Sequence, residues 1–292
     1  MNTETDPRWT LIKQKANEAK AVRTFELFRR HDLQPVLIKG VAAALNYPRT
    51  QFRDSVDLDL AVDPDDYERA HDLIHSTEAV GLSIDLHQGL RHLDLLNWAD
   101  LYKNSIEIDL SEGRIRVLRP EDHLRILCVH WLTDGGANRD RLWDIYYAIA
   151  NRPPAFDWER FHEGTGKNRR RWMECAAGIA SRELGLDLLG TPLAGADKKL
   201  PEWFISTVER EWADETLFRP LRDSMDDLPT FLRQLRKRIP PNPITATVLQ
   251  NGSFDARTRV LYQLGSMVSR SGKSLVSVAD ALRRRVVPDS SV

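Results

Sequence analysis

The spacing of apolar residues predicts a helix and then a strand at the start of the chain. Residues 8–31 repeat apolar side chains near helical spacing, with Lys and Arg filling much of the rest, which indicates an amphipathic helix. The apolar run at residues 36–38 leads into Lys39, Gly40 and an Ala-rich stretch. This order is typical of a strand, a tight turn and a helix start, because glycine adopts backbone angles that a bulky residue does not.

Strict alternation in residues 55–62 predicts a second strand with an acidic face. Every second residue from Val56 to Val62 is apolar, and Asp57 and Asp59 lie between them. Side chains repeat every second residue along a strand, so the two carboxylates should share one face, with Cα atoms about 6.5–7 Å apart. Like charges at that distance oppose each other's ionisation, and a bound divalent cation would relieve the conflict.

Two further segments offer a third acid. Residues 83–88 predict a strand that carries Asp85 and His87 on one face. Residues 105–118 predict a hairpin, in which cross-strand pairing with arginines explains the charge of Asp109 without chemistry. We therefore expect Asp85 to be the third carboxylate, with Asp109 as the alternative.

The hydrophobic period changes from two to about 3.6 at Pro120, which predicts helices from there on. We predict two domains, an α/β module of residues 1–118 and a helical module of residues 119–292. The expected class is α+β, with strands and helices in the first module and a helical C-terminal domain.

The composition, 41% hydrophobic and 29% charged, is that of a globular protein. No apolar run approaches the roughly 20 residues of a membrane helix, and the N-terminus lacks a basic and then apolar signal, so we expect a cytoplasmic protein without a membrane partner. A net charge of -1 gives no overall attraction to nucleic acid. The two cysteines, Cys128 and Cys175, are expected to be free thiols.

Several motifs of the first half resemble, in the same order, those of a group of bacterial nucleotidyltransferases. These belong to the nucleotidyltransferase superfamily, which has a DNA polymerase beta-like fold, so the resemblance implies a small mixed sheet flanked by helices and followed by a helical C-terminal domain. The matching residues are Leu37-Ile-Lys39-Gly40, Arg53 with Asp57-Leu-Asp59, Ile84-Asp85-Leu-His87, Arg119-Pro-Glu-Asp-His-Leu124, Cys128-Val-His-Trp131 and Arg141-Leu-Trp-Asp144. The resemblance covers about residues 30–165.

The resemblance implies a Mg²⁺-dependent enzyme that moves a nucleoside monophosphate from an NTP to an acceptor hydroxyl and releases pyrophosphate. It implies one or two Mg²⁺ ions, with the NTP as substrate. The residues that it assigns form three sets: catalytic and metal-binding Asp57, Asp59 and Asp85; nucleotide-binding Lys39, Gly40, Arg53 and Ser55; and His87, Arg141 and Asp144 facing the cleft.

The acceptor and the activity itself leave alternatives open. The first expectation is a small molecule, a peptide or a glycan precursor, since the nearly neutral charge does not demand a polyanion. A second is a toxin-like transferase acting on tRNA, because relatives with that role have a similar Lys-Gly and Arg-x-Ser-x-Asp-x-Asp pattern. A third is a catalytically inactive nucleotide-binding protein, because Val41 stands where the superfamily usually has Ser or a second Gly. The sequence does not indicate the oligomeric state.

Some of these residues also have a purely structural interpretation. Arg141 and Asp144 are three apart on one predicted helix and can form an ion pair. His87 can be an ordinary strand-surface histidine. His130 and Cys128 do not complete the four ligands of a zinc site, so we expect a packed helix face there.

Overall fold

The structure is a computed structural model that describes residues 7–53, 55, 57–90, 93–214 and 227–269. Among these residues, no helix combines the length and the apolar character needed to cross a lipid bilayer. Cys128 and Cys175 are both buried, and neither forms a disulfide within the described part of the chain, as the sequence predicts.

Five strands form one mixed sheet. They are β1 (Val36–Leu37), β2 (Leu58–Val62), β3 (Ile84–Gln88), β4 (Ile106–Leu110) and β5 (Gly113–Val117). Their spatial order is β3-β2-β1-β5-β4. β1 runs antiparallel to β2 and parallel to β5, β2 is parallel to β3, and β4 is antiparallel to β5. This mixed sheet with flanking helices confirms the predicted α+β class.

Eleven α-helices of the described part of the chain are given labels, in chain order. They are α1 (Pro7–Arg30), α2 (Val41–Ala44), α3 (Tyr67–Ile74), α4 (Trp98–Asn104), α5 (Pro120–Thr133), α6 (Leu142–Ala150), α7 (Trp158–His162), α8 (Lys167–Leu184), α9 (Glu202–Ala213), α10 (Leu228–Arg238) and α11 (Pro243–Leu249). Short 3₁₀ turns lie between some of them, and residues 260–269 are also helical.

The two faces of the sheet are buried in different clusters of apolar residues. Leu58, Leu60 and Val62 of β2 pack with residues of α1 and α3. Ala61, on the opposite face, packs with residues of α4 and α5. Because side chains alternate along a strand, Asp59 shares the face of Ala61 and points toward the side that α5 covers.

The hairpin predicted at residues 105–118 is present as β4 and β5. Asp109 lies opposite Arg114, with Arg114 Nε 3.2 Å from Asp109 Oδ1. Glu107 lies opposite Arg116, with Nη2 3.0 Å from Oε1. The hairpin forms the edge of the sheet that is farthest from β3. Asp109 is therefore part of a cross-strand ion pair, as the structural interpretation predicts.

Some element bounds differ from the sequence expectation. The strand predicted at residues 55–62 begins at Leu58, and Val56 lies outside the described residues. The helix α4 was not predicted. It begins after Asn97, whose side-chain oxygen accepts a hydrogen bond from the backbone N–H of Asp100 at 2.8 Å. Such a seven-residue helix is too short for its periodicity to stand out in the sequence.

The described residues fall into two compact units. The first comprises residues within 1–131 and 139–199, and therefore contains the sheet together with α6, α7 and α8. The second comprises residues within 132–138 and 200–292, including α9, α10 and α11. The domain division at residues 118 and 119 stays a prediction.

Candidate active site

Parallel pairing of β2 and β3 brings two acids and a histidine together. Asp59 of β2 is in register with Asp85 of β3, and His87 follows on the same face. His87 Nε2 lies 3.1 Å from Asp85 Oδ2 and 3.6 Å from Asp59 Oδ1. One ligand atom from each of the three residues lies within 4.8 Å of the others, so this metal-ligand group can hold an ion. Carboxylate oxygens suit hard divalent cations and an imidazole suits transition metals, so the chemistry of this set fits a divalent cation without specifying which one.

Lys39 is a buried cation beside this group. Its Nζ lies 2.6 Å from Asp59 Oδ1 and 3.3 Å from His130 Nε2 in α5. Burial alone would raise the pKa of Asp59, but the bond to His87 and the charge of Lys39 hold that pKa well below its ordinary value. Burial, with Lys39 and Arg141 nearby, lowers the pKa of His130 to about 3. His130 is therefore neutral at neutral pH, and its Nε2 accepts a hydrogen bond from the Lys39 ammonium.

The turn after β1 needs glycine at position 40. Gly40 has φ 56° and ψ -112°, a conformation that residues with a side chain rarely adopt. A Cβ atom there would lie 2.7 Å from Ser55 Oγ. The Ser55 hydroxyl in turn donates a hydrogen bond to the backbone oxygen of Asp57 at 2.8 Å. Val41, the next residue, is 4% exposed and lies in the apolar cluster shared with α1.

Asp57 lies just before β2 and outside the metal-ligand group. The described residues that form this group are Asp59, Asp85 and His87. Because β2 begins at Leu58, the alternation that would place Asp57 beside Asp59 does not extend to it. Burial lowers the pKa of Lys20 in α1, and the negative charge of Asp57 opposes that shift. Asp57 therefore lies within electrostatic reach of α1.

Arg53 and Asp144 form a nearly buried pair within electrostatic reach of Asp59. Arg53 donates from Nε to Asp144 Oδ1 at 2.9 Å and from Nη2 to Oδ2 at 2.8 Å, while the Tyr47 hydroxyl donates to Oδ1 at 2.7 Å. Burial would lower the pKa of Arg53, but the bonds and charge of Asp144, with a contribution from Asp59, raise it overall. The two hydrogen bonds from Arg53 to Asp144 hold the segment that follows α2 against α6. Asp144 therefore pairs with Arg53 at a distance of 91 positions in the chain.

The structure shows which of the residues predicted for the site contact one another. Lys39, Asp59, Asp85 and His87 form one contacting set. Gly40 lies against Ser55, and Arg53 bonds to Asp144. Arg141 precedes α6, and its charge acts on His130. His130 itself was expected only on a packed helix face, and its contact with Lys39 spans 91 positions. The sequence signal for His130 was its place in the Cys128-Val-His-Trp131 segment of the resemblance. Nothing in that segment indicates that Lys39 is its partner.

His123 is a buried histidine whose ionisation should make folding depend on pH. Burial is the main cause that lowers its pKa to about 4, from the ordinary 6.5, and its Nε2 has no hydrogen-bond partner among the described residues. The unfolded chain therefore binds more protons than the folded protein between these two values. The neutral ring contributes its full stabilisation above pH 6.5, and this stabilisation is lost as the pH falls toward the lowered pKa of about 4.

Because its pKa is lowered on folding, we expect His123 to reduce the free energy of unfolding by about 2 kcal/mol when the pH falls from about 7 to about 5. His123→Gln should flatten the pH dependence by that amount. Urea unfolding of both proteins at the two pH values measures it, with His71→Gln, at an exposed histidine, as the matched control. Equal pH dependence in His123→Gln and the unsubstituted protein would contradict the expectation.

The comparisons with known proteins identify one family. A family model described as an uncharacterised nucleotidyltransferase matches residues 7–184, which is more than half of the chain. No curated protein and no solved structure matches. The matched segment contains every residue of the metal-ligand group together with Lys39, Gly40 and Arg53.

Proposed function

Because the chain belongs to the family of uncharacterised nucleotidyltransferases, we propose that it transfers a nucleoside monophosphate from an NTP to an acceptor hydroxyl and releases pyrophosphate. The observation that carries this proposal is the group of Asp59, Asp85 and His87 within 4.8 Å, next to Lys39 and the Gly40 turn. Carboxylates beside a lysine and a glycine turn provide the two things that this chemistry requires, a place for a cation and a place for phosphates.

Asp59, Asp85 and His87 would hold the divalent cation, Mg²⁺ in the first instance. Carboxylate oxygens are its preferred protein ligands, and one or two carboxylates with substrate phosphates usually complete its shell. Bound there, the ion would neutralise charge on the triphosphate and on the pyrophosphate that leaves. Asp57 lies outside this group and is proposed as a further catalytic carboxylate and ligand on the resemblance of Asp57-Leu-Asp59 to the Asp-x-Asp motif of nucleotidyltransferases.

Lys39, Gly40, Ser55 and Arg53 are proposed to bind the nucleotide. The Lys39 ammonium would contact the β- and γ-phosphates as a point charge. Gly40 lets the backbone approach those phosphates because no Cβ stands in the way. Ser55 lies against Gly40, and Arg53, fixed by two bonds to Asp144, holds the segment that carries Ser55.

The transfer step is a displacement at the α-phosphorus. The acceptor oxygen forms a bond to that phosphorus while the bond to the bridging oxygen of the pyrophosphate breaks, and the hydroxyl proton passes to a carboxylate. Asp85 is proposed to take this proton, because half of its side chain is exposed and His87 bonds to it. The other residues contribute by positioning and by neutralising charge.

The proposed acceptor is a small molecule, a peptide or a glycan precursor, with tRNA as the alternative. The test is incubation with each NTP labelled at the α-phosphate, Mg²⁺, and a cell extract separated into RNA, peptides and metabolites. The unsubstituted protein should transfer label to one fraction, and an Asp57→Ala/Asp59→Ala variant should not. Equal labelling by both proteins would refute the active-site assignment. If there is no transfer and calorimetry detects no Mg·NTP binding, the proposed function is wrong.

A further inference from the structure

The negative charge of Asp59 is already balanced within the protein. The Lys39 ammonium lies 2.6 Å from Asp59 Oδ1, and the two side chains are only 6% and 9% exposed. His130 accepts a second bond from the same ammonium at 3.3 Å. Lys39 therefore has two neighbours in a region that water hardly reaches, where charges interact more strongly than at the surface.

This ion pair lowers the attraction of the group for a metal ion. Asp59 and Asp85 contribute two negative charges, and Lys39 cancels one of them. A divalent cation at the group would also stand close to the ammonium, and the two positive charges would repel each other. The same three residues without Lys39 would offer a cation the full charge of both carboxylates.

We propose that Lys39 is an internal counter-ion of Asp59 that makes divalent-cation binding depend on the nucleotide. The inference rests on the proposed function, because it uses the phosphates of the NTP as the second anion for Lys39. The triphosphate offers the ammonium an alternative partner at the adjacent turn, which restores the negative charge of the metal-ligand group. By linkage, the cation must then strengthen nucleotide binding by the same factor. The free enzyme thus binds a cation weakly and the nucleotide complex binds it well.

The test is Mn²⁺ binding to the full-length, nucleotide-free protein, measured by electron paramagnetic resonance of the free ion. Lys39→Met should bind Mn²⁺ about tenfold or more tightly than the unsubstituted protein, within the usual range of coupling factors. Adding Asp59→Asn to Lys39→Met should remove the gain. Lys103→Met, at an exposed lysine near the end of α4, is the matched control for the loss of one positive charge and should change Mn²⁺ binding little.

The outcomes separate this inference from the proposed function. If Lys39→Met binds Mn²⁺ no more tightly than the unsubstituted protein, while Asp59→Asn weakens binding in both, the counter-ion proposal is overturned and the metal site stands. If Asp59→Asn has no effect in either background, the metal site and the proposed function both fail. If circular dichroism shows that Lys39→Met does not fold, Lys39→Gln takes its place. Glutamine keeps a hydrogen-bond donor for Asp59 but carries no charge.

A second readout uses nucleotide affinity. The factor by which Mn²⁺ tightens binding of a non-hydrolysable NTP analogue should be larger for the unsubstituted protein than for Lys39→Met. The analogue itself chelates Mn²⁺ equally in the measurements on both proteins. The ratio of the factor for the unsubstituted protein to the factor for Lys39→Met therefore reports on Lys39. An equal factor in both proteins would overturn the proposal.

Discussion

Asp59→Asn should lower the rate of nucleotidyl transfer by about 10²–10³-fold, the scale on which loss of a charge-stabilising group slows an enzyme. Asp59 is the one described carboxylate that meets Asp85 in strand register, lies 3.6 Å from His87 and binds Lys39 at 2.6 Å. Asparagine keeps the shape of the side chain but removes the charge on which a cation and Lys39 both depend. Single-turnover transfer of the α-phosphate label, once the acceptor fraction is known, measures the effect.

The matched control is Asp109→Asn. Asp109 also lies on a strand, but its side chain is 87% exposed and pairs with Arg114 at the opposite edge of the sheet. Its substitution should leave transfer within about twofold, since a surface ion pair contributes little. A larger loss of transfer activity for Asp109→Asn than for Asp59→Asn would show that the catalytic carboxylate lies on the β4–β5 hairpin.

Loss of activity must be separated from loss of fold, because Asp59→Asn leaves the Lys39 ammonium buried without its carboxylate. Removing one partner of a buried ion pair is destabilising. The Asp59→Asn/Lys39→Met double variant removes both charges and should recover thermal stability without recovering transfer. Recovery of transfer in this double variant would show that Asp59 acts through stability alone.

Asp122→Ala should lower the free energy of unfolding by about 3–5 kcal/mol, the usual cost of breaking a buried ion pair. Asp122 is fully buried and accepts hydrogen bonds from Arg125, and from Nε and Nη2 of Arg160 at 2.9 Å each. Arg125 also bonds Asp94 Oδ2 at 2.8 Å. Alanine would leave two arginines short of one carboxylate in a region closed to water. Urea unfolding followed by tryptophan fluorescence measures the change.

Asp72→Ala provides the comparison for this prediction, because the Asp72 side chain is 88% exposed. It should change the unfolding free energy by less than about 0.5 kcal/mol, as surface substitutions usually do. If Asp122→Ala proved as mild as Asp72→Ala, the network of Asp94, Asp122, Arg125 and Arg160 would not stabilise the fold.

The sequence by itself was sufficient for the local features of this protein. The alternating segments predict the strands that carry Asp59, Asp85 and His87, because a period of two depends only on the backbone of one strand. The turn at Gly40 is likewise predictable, since glycine reaches backbone conformations such as φ 56° with ψ -112° that residues with a side chain rarely adopt. The α+β class follows from the change of period at Pro120.

Boundaries and short elements are where local patterns failed. The apolar alternation of residues 55–62 continues upstream of the strand, yet pairing with β3 begins at Leu58. Asp57 therefore lies outside the ladder, although its place in the pattern equals that of Asp59. Hydrogen bonds to a neighbouring strand decide where a strand starts, and those partners are distant in the sequence.

Only the tertiary structure decided which side chains meet. The parallel register of β2 and β3 sets Asp59 beside Asp85, and the position of α5 brings His130 to Lys39. The choice of Arg53 as the partner of Asp144 depends in the same way on the packing of α6. Asp59 and Asp85 are 26 positions apart and the other two pairs are 91 positions apart. Packing of the whole core, which no local period encodes, selects these contacts.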